Sequence, residues 1–157
     1  MPCFTHYPSP LGPLLLVSDG TALTGLWMPT KNFSTDRIVQ QDDLPVFRDV
    51  RLWLDAYFQG KPGNITFPLS PAGTAFQRRV WEILLRIPYG ETTSYGAIAK
   101  ALNPNMSAQA VGQAVGRNPI SIIIPCHRVV GAKGQLTGYA GGLPVKTWLL
   151  RHEEETK

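Results

Sequence analysis

The chain has 157 residues, 43% of them hydrophobic and 17% charged, with a net charge of +4. That length suits one domain or two small ones sharing an interface, with a composition ordinary for a globular protein. No apolar run approaches the roughly 18 residues that a membrane span needs. The opening MPCFTHYPSP has no basic segment followed by an apolar one, so the cytoplasm is the expected compartment.

Charge is unevenly divided. Residues 1–70 carry five Lys/Arg and six Asp/Glu, whereas residues 71–157 carry ten and five. Thr92 to His152 holds no acidic residue but contains Lys100, Arg117, Arg128, Lys133, Lys146 and Arg151. A long acid-free segment with scattered cations is the footprint expected of a protein that meets a polyanion. The alternative is an unremarkable basic protein.

In chain order, LGPLLLVSDG predicts a strand over Leu14 to Val17, ended by the turn pair Asp19-Gly20, and TALTGLWM pairs with it as a hairpin. Phe47, Val50, Leu54 and Phe58 recur at spacings of three and four, which predicts a helix from Leu44 to Phe58, stopped by Gly60 and Pro62. Trp53 and Tyr57 on it read as core, and nothing in this part reads as catalytic. The Pro/Gly-rich FPLSPAGTAF marks a joint, with a boundary near Ser70 between parts 1–70 and 71–157.

Thr74 and Gln77 fit a capping box for a helix whose apolar face carries Phe76, Val80 and Leu84. Two brief helices are expected next, Ser94 to Leu102 capped by Thr93, and Ala108 to Gly116 capped by Ser107. Joined through Asn103-Pro104, they outline a helix-turn-helix. The second, AQAVGQAVG, is nearly bare of large side chains. It suits either close approach to another surface or tight burial. A last helix, Val145 to Glu153, begins at Pro144.

SIIIPCHRVV looks like a buried strand, yet it holds a thiol, an imidazole and a guanidinium side by side. The two cysteines, Cys3 and Cys126, lie far apart and are expected to be reduced in a cytoplasmic chain. A thiol is nucleophilic as thiolate, so Cys126 needs a base or a cation near it. His127 is a candidate base, acting through a water or after a turn imposed by Pro125. A histidine base needs a partner for its other nitrogen, and Glu153 is the first carboxylate to follow. An inert buried cysteine beside a surface histidine is the competing reading.

IPCHRVV, preceded by GRNPISII and followed by GYAGGLPVKTWLLRHE, closely resembles the O6-alkylguanine-DNA alkyltransferases, over roughly Thr74 to Glu153. The resemblance implies a mixed α/β (α+β) fold: a ribonuclease-H-like N-terminal part with a small antiparallel sheet, and a helical helix-turn-helix part carrying the cysteine. It implies that Cys126 accepts an alkyl group from O6 of guanine in DNA, in one irreversible transfer, with O4 of thymine left open as a second source. His127 would take the thiol proton through a water, with Glu153 fixing the imidazole. Asn118 would bridge the recognition helix to the active-site loop, and Tyr95 would help protonate the departing guanine.

The carbonyls of Cys126 and Val129 would read the guanine amino group, beside Arg128. Tyr139 would pack on the base, the amide of Ala140 would bond O6, and Gly141 and Gly142 would keep the pocket wide. DNA contacts would come from Thr93, Ser94, Gln109, Ala110, Gly112 and Arg117, through the minor groove of double-stranded DNA. A rotated-out base requires a purine-sized cavity beside Cys126. The chain is expected to act as a monomer without a cofactor. Cys3 and His6 lack a second cysteine, so no metal site is expected.

One departure is substantial: Gln109 stands where the family usually has an arginine that fills the space of the rotated base. Two further readings remain open, a non-enzymatic sensor of alkylated DNA and a hydrolase with a cysteine nucleophile.

Overall fold

A computed structural model describes residues 2–157. Three antiparallel strands, β1 (Cys3–Ser9), β2 (Gly12–Ser18) and β3 (Leu23–Trp27), form a sheet, and the two-residue β4 (Val39–Gln40) adds parallel to β1, giving the order β3-β2-β1-β4. The hairpin β2–β3 is the one expected, with Leu15 opposite Trp27 and Leu16 opposite Leu26. Strand β1 escaped the sequence reading. Its alternation is broken, with Cys3, Phe4 and Thr5 all buried because both sheet faces are covered there. Cys3 and His6 lie an odd number of residues apart, so they project to opposite faces, Cys3 buried and His6 exposed. No disulfide joins Cys3 to Cys126.

Helix α1 (Pro45–Phe58) packs on the sheet through Val46, Phe47, Val50, Leu54 and Tyr57. Helix α2 (Ala75–Leu84) starts with both hydrogen bonds of the Thr74–Gln77 capping box and buries Val80, Trp81 and Leu84. The short helices α3 (Tyr95–Leu102) and α4 (Ala108–Gly116) follow, α4 capped by Ser107 as expected. The cap of α3 is Ser94, whose hydroxyl accepts from the amide of Ala97. Thr93, assigned that task from sequence, instead pairs in a two-residue strand β5 (Thr93–Ser94) with β6 (Val129–Val130). Helix α5 (Leu143–Thr156) runs one turn beyond Glu153, which therefore sits inside the last helix and is 1% exposed.

The run before the cysteine is buried but is not a strand. Ile120 to Ile124 turns sharply, with Ile122 at φ 70°, a left-handed conformation that costs a β-branched residue on the order of 1–2 kcal/mol. Asn118 offsets that cost. Its side-chain NH2 donates to the carbonyls of Ile124 (2.8 Å) and Ile120 (3.3 Å), and its oxygen accepts from the amide of Ile120 (3.0 Å). A bridge between Leu26 and Ile120, with the Leu26 amide donating to Pro119 O at 2.9 Å, fastens this turn to the edge of the N-terminal sheet. One apolar core accordingly runs through both parts, from Leu14 and Phe47 to Ile123 and Leu149.

Candidate active site and adjoining helix pair

Pro125 at ψ 65° turns the chain into a single 3-10 turn, Cys126–Arg128. This turn, rather than a strand, lets Cys126, His127 and Arg128 all be buried while aiming different ways. The two side chains after the cysteine converge on Glu153. His127 Nε2 pairs with Glu153 Oε2 at 2.5 Å, and Arg128 Nε donates to Glu153 Oε1 at 2.7 Å. Arg128 Nη1 also donates to the Ile87 carbonyl at 2.7 Å, and the guanidinium lies over the Tyr89 ring. Arg128, expected beside the substrate, is thereby committed to Glu153 and the turn after α2. Oε2 of Glu153 has one more donor, the hydroxyl of Tyr57 at 2.6 Å.

This network sets the proton inventory. Burial would raise the Glu153 carboxyl, but hydrogen bonds and charge from His127 and Arg128 outweigh it and hold the group at about 2. Burial lowers the His127 imidazole, with Glu153 opposing and the cations Arg128 and Lys146 assisting. The resting pair is a neutral imidazole against a carboxylate. Nδ1 of His127 is buried and has no hydrogen-bond partner in the protein. Burial also pushes the Cys126 thiol up, opposed in part by the Asn118 side chain and by the charge of Lys146.

Lys146 is a residue that sequence reading missed. It is fully buried, and its Nζ donates to Val129 O at 2.7 Å and more weakly to Thr137 O at 3.4 Å, with no carboxylate partner among its hydrogen bonds. Only its place in a basic segment was visible in sequence. The Val129 carbonyl, expected to read the base, thus already accepts one donor, as the Cys126 carbonyl does from the Val129 amide.

The loop from Gly131 to Gly142 brings Tyr139 beside the thiol. The Tyr139 hydroxyl is buried beside Ser121 and Cys126 without reaching hydrogen-bond geometry with any partner, and burial raises it well above the ordinary phenol range. The Gly142 amide donates to Tyr139 O at 2.9 Å, a turn that leaves Ala140 exposed at its tip. Gly141 is buried, where a Cβ would come within 2.8 Å of Met28 Cγ and 2.9 Å of the Tyr139 ring. Tyr95 joins its hydroxyl to that of Thr137 at 2.6 Å, linking α3 to this loop. Among the described residues, Cys126 does not line any of five surface recesses of about 310 to 810 Å³.

The helix pair α3–α4 is held from beneath. Trp81 Nε1 donates to Ala114 O at 2.8 Å, and Val111, Ala114 and Val115 face inward. The opposite face of α4 presents Gln109, Gln113, Gly116 and Arg117 to solvent, with Ala110 and Gly112 half-buried. The small residues on the inner face of α4 pack tightly against α2. Thr93 and Ser94, half-buried in β5, stand beside Val129 and Val130 rather than on that exposed face. A recess of about 810 Å³ between α2 and α4 is lined by Thr74, Gln77, Gln113 and Arg117. No helix among the described residues is long and apolar enough to cross a membrane.

Comparison with known proteins agrees with this geometry. Residues 3–71 match the family described as 6-O-methylguanine DNA methyltransferase, ribonuclease-like domain, and residues 75–155 match its DNA binding domain. The methylated-DNA–protein-cysteine methyltransferase of Haemophilus influenzae is 46% identical over 153 residues, covering 96% of this chain and 86% of that one. The protein of that name from Mycobacterium leprae is 48% identical, covering 93% of this chain and 88% of that one. Among solved structures, the Mycobacterium tuberculosis O6-methylguanine methyltransferase superposes with a TM-score of 0.89 at 44% identity, covering 100% of this chain and 95% of that one. A structure of the M. tuberculosis protein in complex with DNA also has a TM-score of 0.89, at 45% identity, covering 98% of this chain and 94% of that one. The chain belongs to the 6-O-methylguanine DNA methyltransferase family.

Proposed function

We propose that this protein repairs DNA by moving an alkyl group, methyl above all, from O6 of guanine onto the sulphur of Cys126. The observation that carries the reading is the buried His127–Glu153 pair immediately behind the only thiol of the C-terminal part. Relatives named for this reaction, at 46–48% identity over nearly the whole chain, support it.

At rest the thiol and the imidazole are both neutral, because burial penalises the charged form of each. The proton leaves Sγ for a bridging water and then Nδ1 of His127, the ring nitrogen without a protein partner. Glu153 stabilises the imidazolium that forms. Sγ attacks the alkyl carbon in line. The carbon–oxygen bond breaks as the carbon–sulphur bond forms, and the departing guanine takes a proton with the help of Tyr95. Asn118 and Lys146 favour the developing thiolate. A thioether has no route back to thiol here, so each molecule acts once.

Guanine must leave the stack to reach Cys126, where Tyr139 would pack against it. The turn at Tyr139–Gly142 would present the amide of Ala140 to O6. Helix α4 would lie in the minor groove, with Gln109 in the space of the rotated base and Arg117 toward phosphate. Such contacts depend on the DNA backbone and on salt, as suits lesions found in any sequence. In this reading residues 1–70 form the ribonuclease-like part and residues 71–157 the reactive part, of a monomer working in the cytoplasm.

The test is a mass measurement after incubation with a duplex oligonucleotide holding one O6-methylguanine. The peptide containing Cys126 should gain a single methyl group, one per protein molecule. Binding with no adduct would leave a lesion sensor, and repeated turnover of an ester a hydrolase; either result removes the proposal.

A further inference from the structure

The N-terminal part reaches into the proton relay at one atom. Tyr57, on α1, donates its hydroxyl to Glu153 Oε2 at 2.6 Å, across 96 residues of chain, and the same oxygen holds His127 Nε2 at 2.5 Å. The ring is fully buried, stacked on Trp53 at 5.5 Å and edge-on to Phe58 and Tyr89. The backbone carbonyl of the same residue pairs with His152 Nε2 on α5 at 2.8 Å. Tyr57 is therefore fixed to α5 at both ends.

We propose that Tyr57 is a positioning residue for alkyl transfer: its hydroxyl shares Glu153 Oε2 with His127 and so limits how strongly that carboxylate draws a proton onto the imidazole. The inference rests on the relay described above. An oxygen that accepts two hydrogen bonds divides its electron density between them, so removing one donor strengthens the other. The hydroxyl also fixes the carboxylate rotamer, keeping Oε2 toward His127 and Oε1 toward Arg128. The remaining groups around the pair come from every packed element. They are Arg128 from the turn, Tyr89 and the Gly90 amide from the segment after α2, and Lys146 and His152 from α5. None of these donates to Oε2.

The sign follows. Loss of the Tyr57 hydroxyl leaves Oε2 to the imidazole alone, so His127 holds its proton to higher pH. The acid limb of the transfer rate then moves upward by about half a pH unit, roughly a threefold loss on the limb. The test compares wild type, Tyr57→Phe and Tyr7→Phe in single-turnover methyl transfer from the same duplex, from about pH 5 to about pH 8. A nitrogen NMR titration of His127 is run on each. Tyr7→Phe removes another tyrosine–carboxylate bond of the N-terminal part, to Asp55 at 2.5 Å, and should lower thermal stability while leaving limb and titration in place.

An unmoved limb and His127 titration in Tyr57→Phe would overturn the inference. If wild type takes up no methyl, the relay reading falls, while the His127 titration still decides the Tyr57 bond. Should Tyr57→Phe not fold, the ring-carbon resonance of Tyr57 in wild type decides instead. It must shift as His127 titrates, and a constant resonance refutes the shared oxygen.

Discussion

Lys146 donates to the Val129 carbonyl at 2.7 Å from a fully buried position, so a cation is fastened to the strand that leaves the Cys126 turn. Its charge favours the Cys126 thiolate, and burial lowers the lysine itself. Replacing it by methionine keeps most of the volume and removes the charge. The thiol should then ionise less readily, and single-turnover transfer at neutral pH should slow by about tenfold, one charge near a buried group being worth roughly a pH unit. A Lys146→Met protein with the wild-type rate would show that the cation does not act on the sulphur.

Glu153 gives the fold a defined acid sensitivity. Its folded value of about 2 lies below the ordinary 4.5, because His127 and Arg128 outweigh the burial that would raise it. A lowered carboxyl stabilises above its unfolded value and loses that contribution as pH falls from about 4.5 toward 2, on the order of 3 kcal/mol in full. His127 is lowered as well, so its share begins to be lost below about 6.5. Melting temperature should thus fall in two stages on acidification. Glu153→Gln leaves Arg128 buried without its partner and should cost about 3–5 kcal/mol at neutral pH. The gap from wild type should shrink below about pH 4.5. A gap that stays constant with pH would contradict the ion-pair account.

Gly141 is held by packing between two side chains. A Cβ there would lie 2.8 Å from Met28 Cγ and 2.9 Å from the Tyr139 ring. Gly141→Ala should cost about 1–2 kcal/mol, the ordinary penalty of overfilling a packed site, and should slow transfer by displacing Tyr139. In a Met28→Ala background the same change should cost less. Denaturant unfolding of the four proteins measures the coupling, and strict additivity would reject the Met28 contact as the cause.

Gln109 is exposed on the first turn of α4 and supplies no positive charge. Gln109→Arg should raise the repair rate on duplex DNA while changing little on free O6-methylguanine, since only the duplex needs its base extruded and its phosphates neutralised. Equal duplex rates for the two proteins would rule out a role for position 109 in extrusion.

The helices were legible because each carries its own punctuation. Thr74 and Gln77 close a capping box, Ser107 caps α4, and Pro144 opens α5 near its first turn. The shift of the α3 cap from Thr93 to Ser94 has a tertiary cause, the pairing of both residues with Val129 and Val130. Strand β1 was hidden for a similar reason, since burial on both faces erases the alternation that marks a strand.

Sequence by itself determined the side chains of the candidate site: a thiol, an imidazole and a guanidinium in a row, with Glu153 the first carboxylate downstream. It determined the helix-turn-helix too, because caps and apolar spacing are local signals. Tertiary structure alone decided how those groups are wired. Ile122 to Ile124 read as a strand, and only the Asn118 hydrogen bonds and the sheet edge at Leu26 bend the segment into the turn that leads through Pro125 to the 3-10 turn of Cys126, His127 and Arg128. Tyr57 and Lys146 look like core and surface in one dimension. Their partners lie 96 and 17 residues away, where a buried acceptor takes whichever donor the fold brings to it.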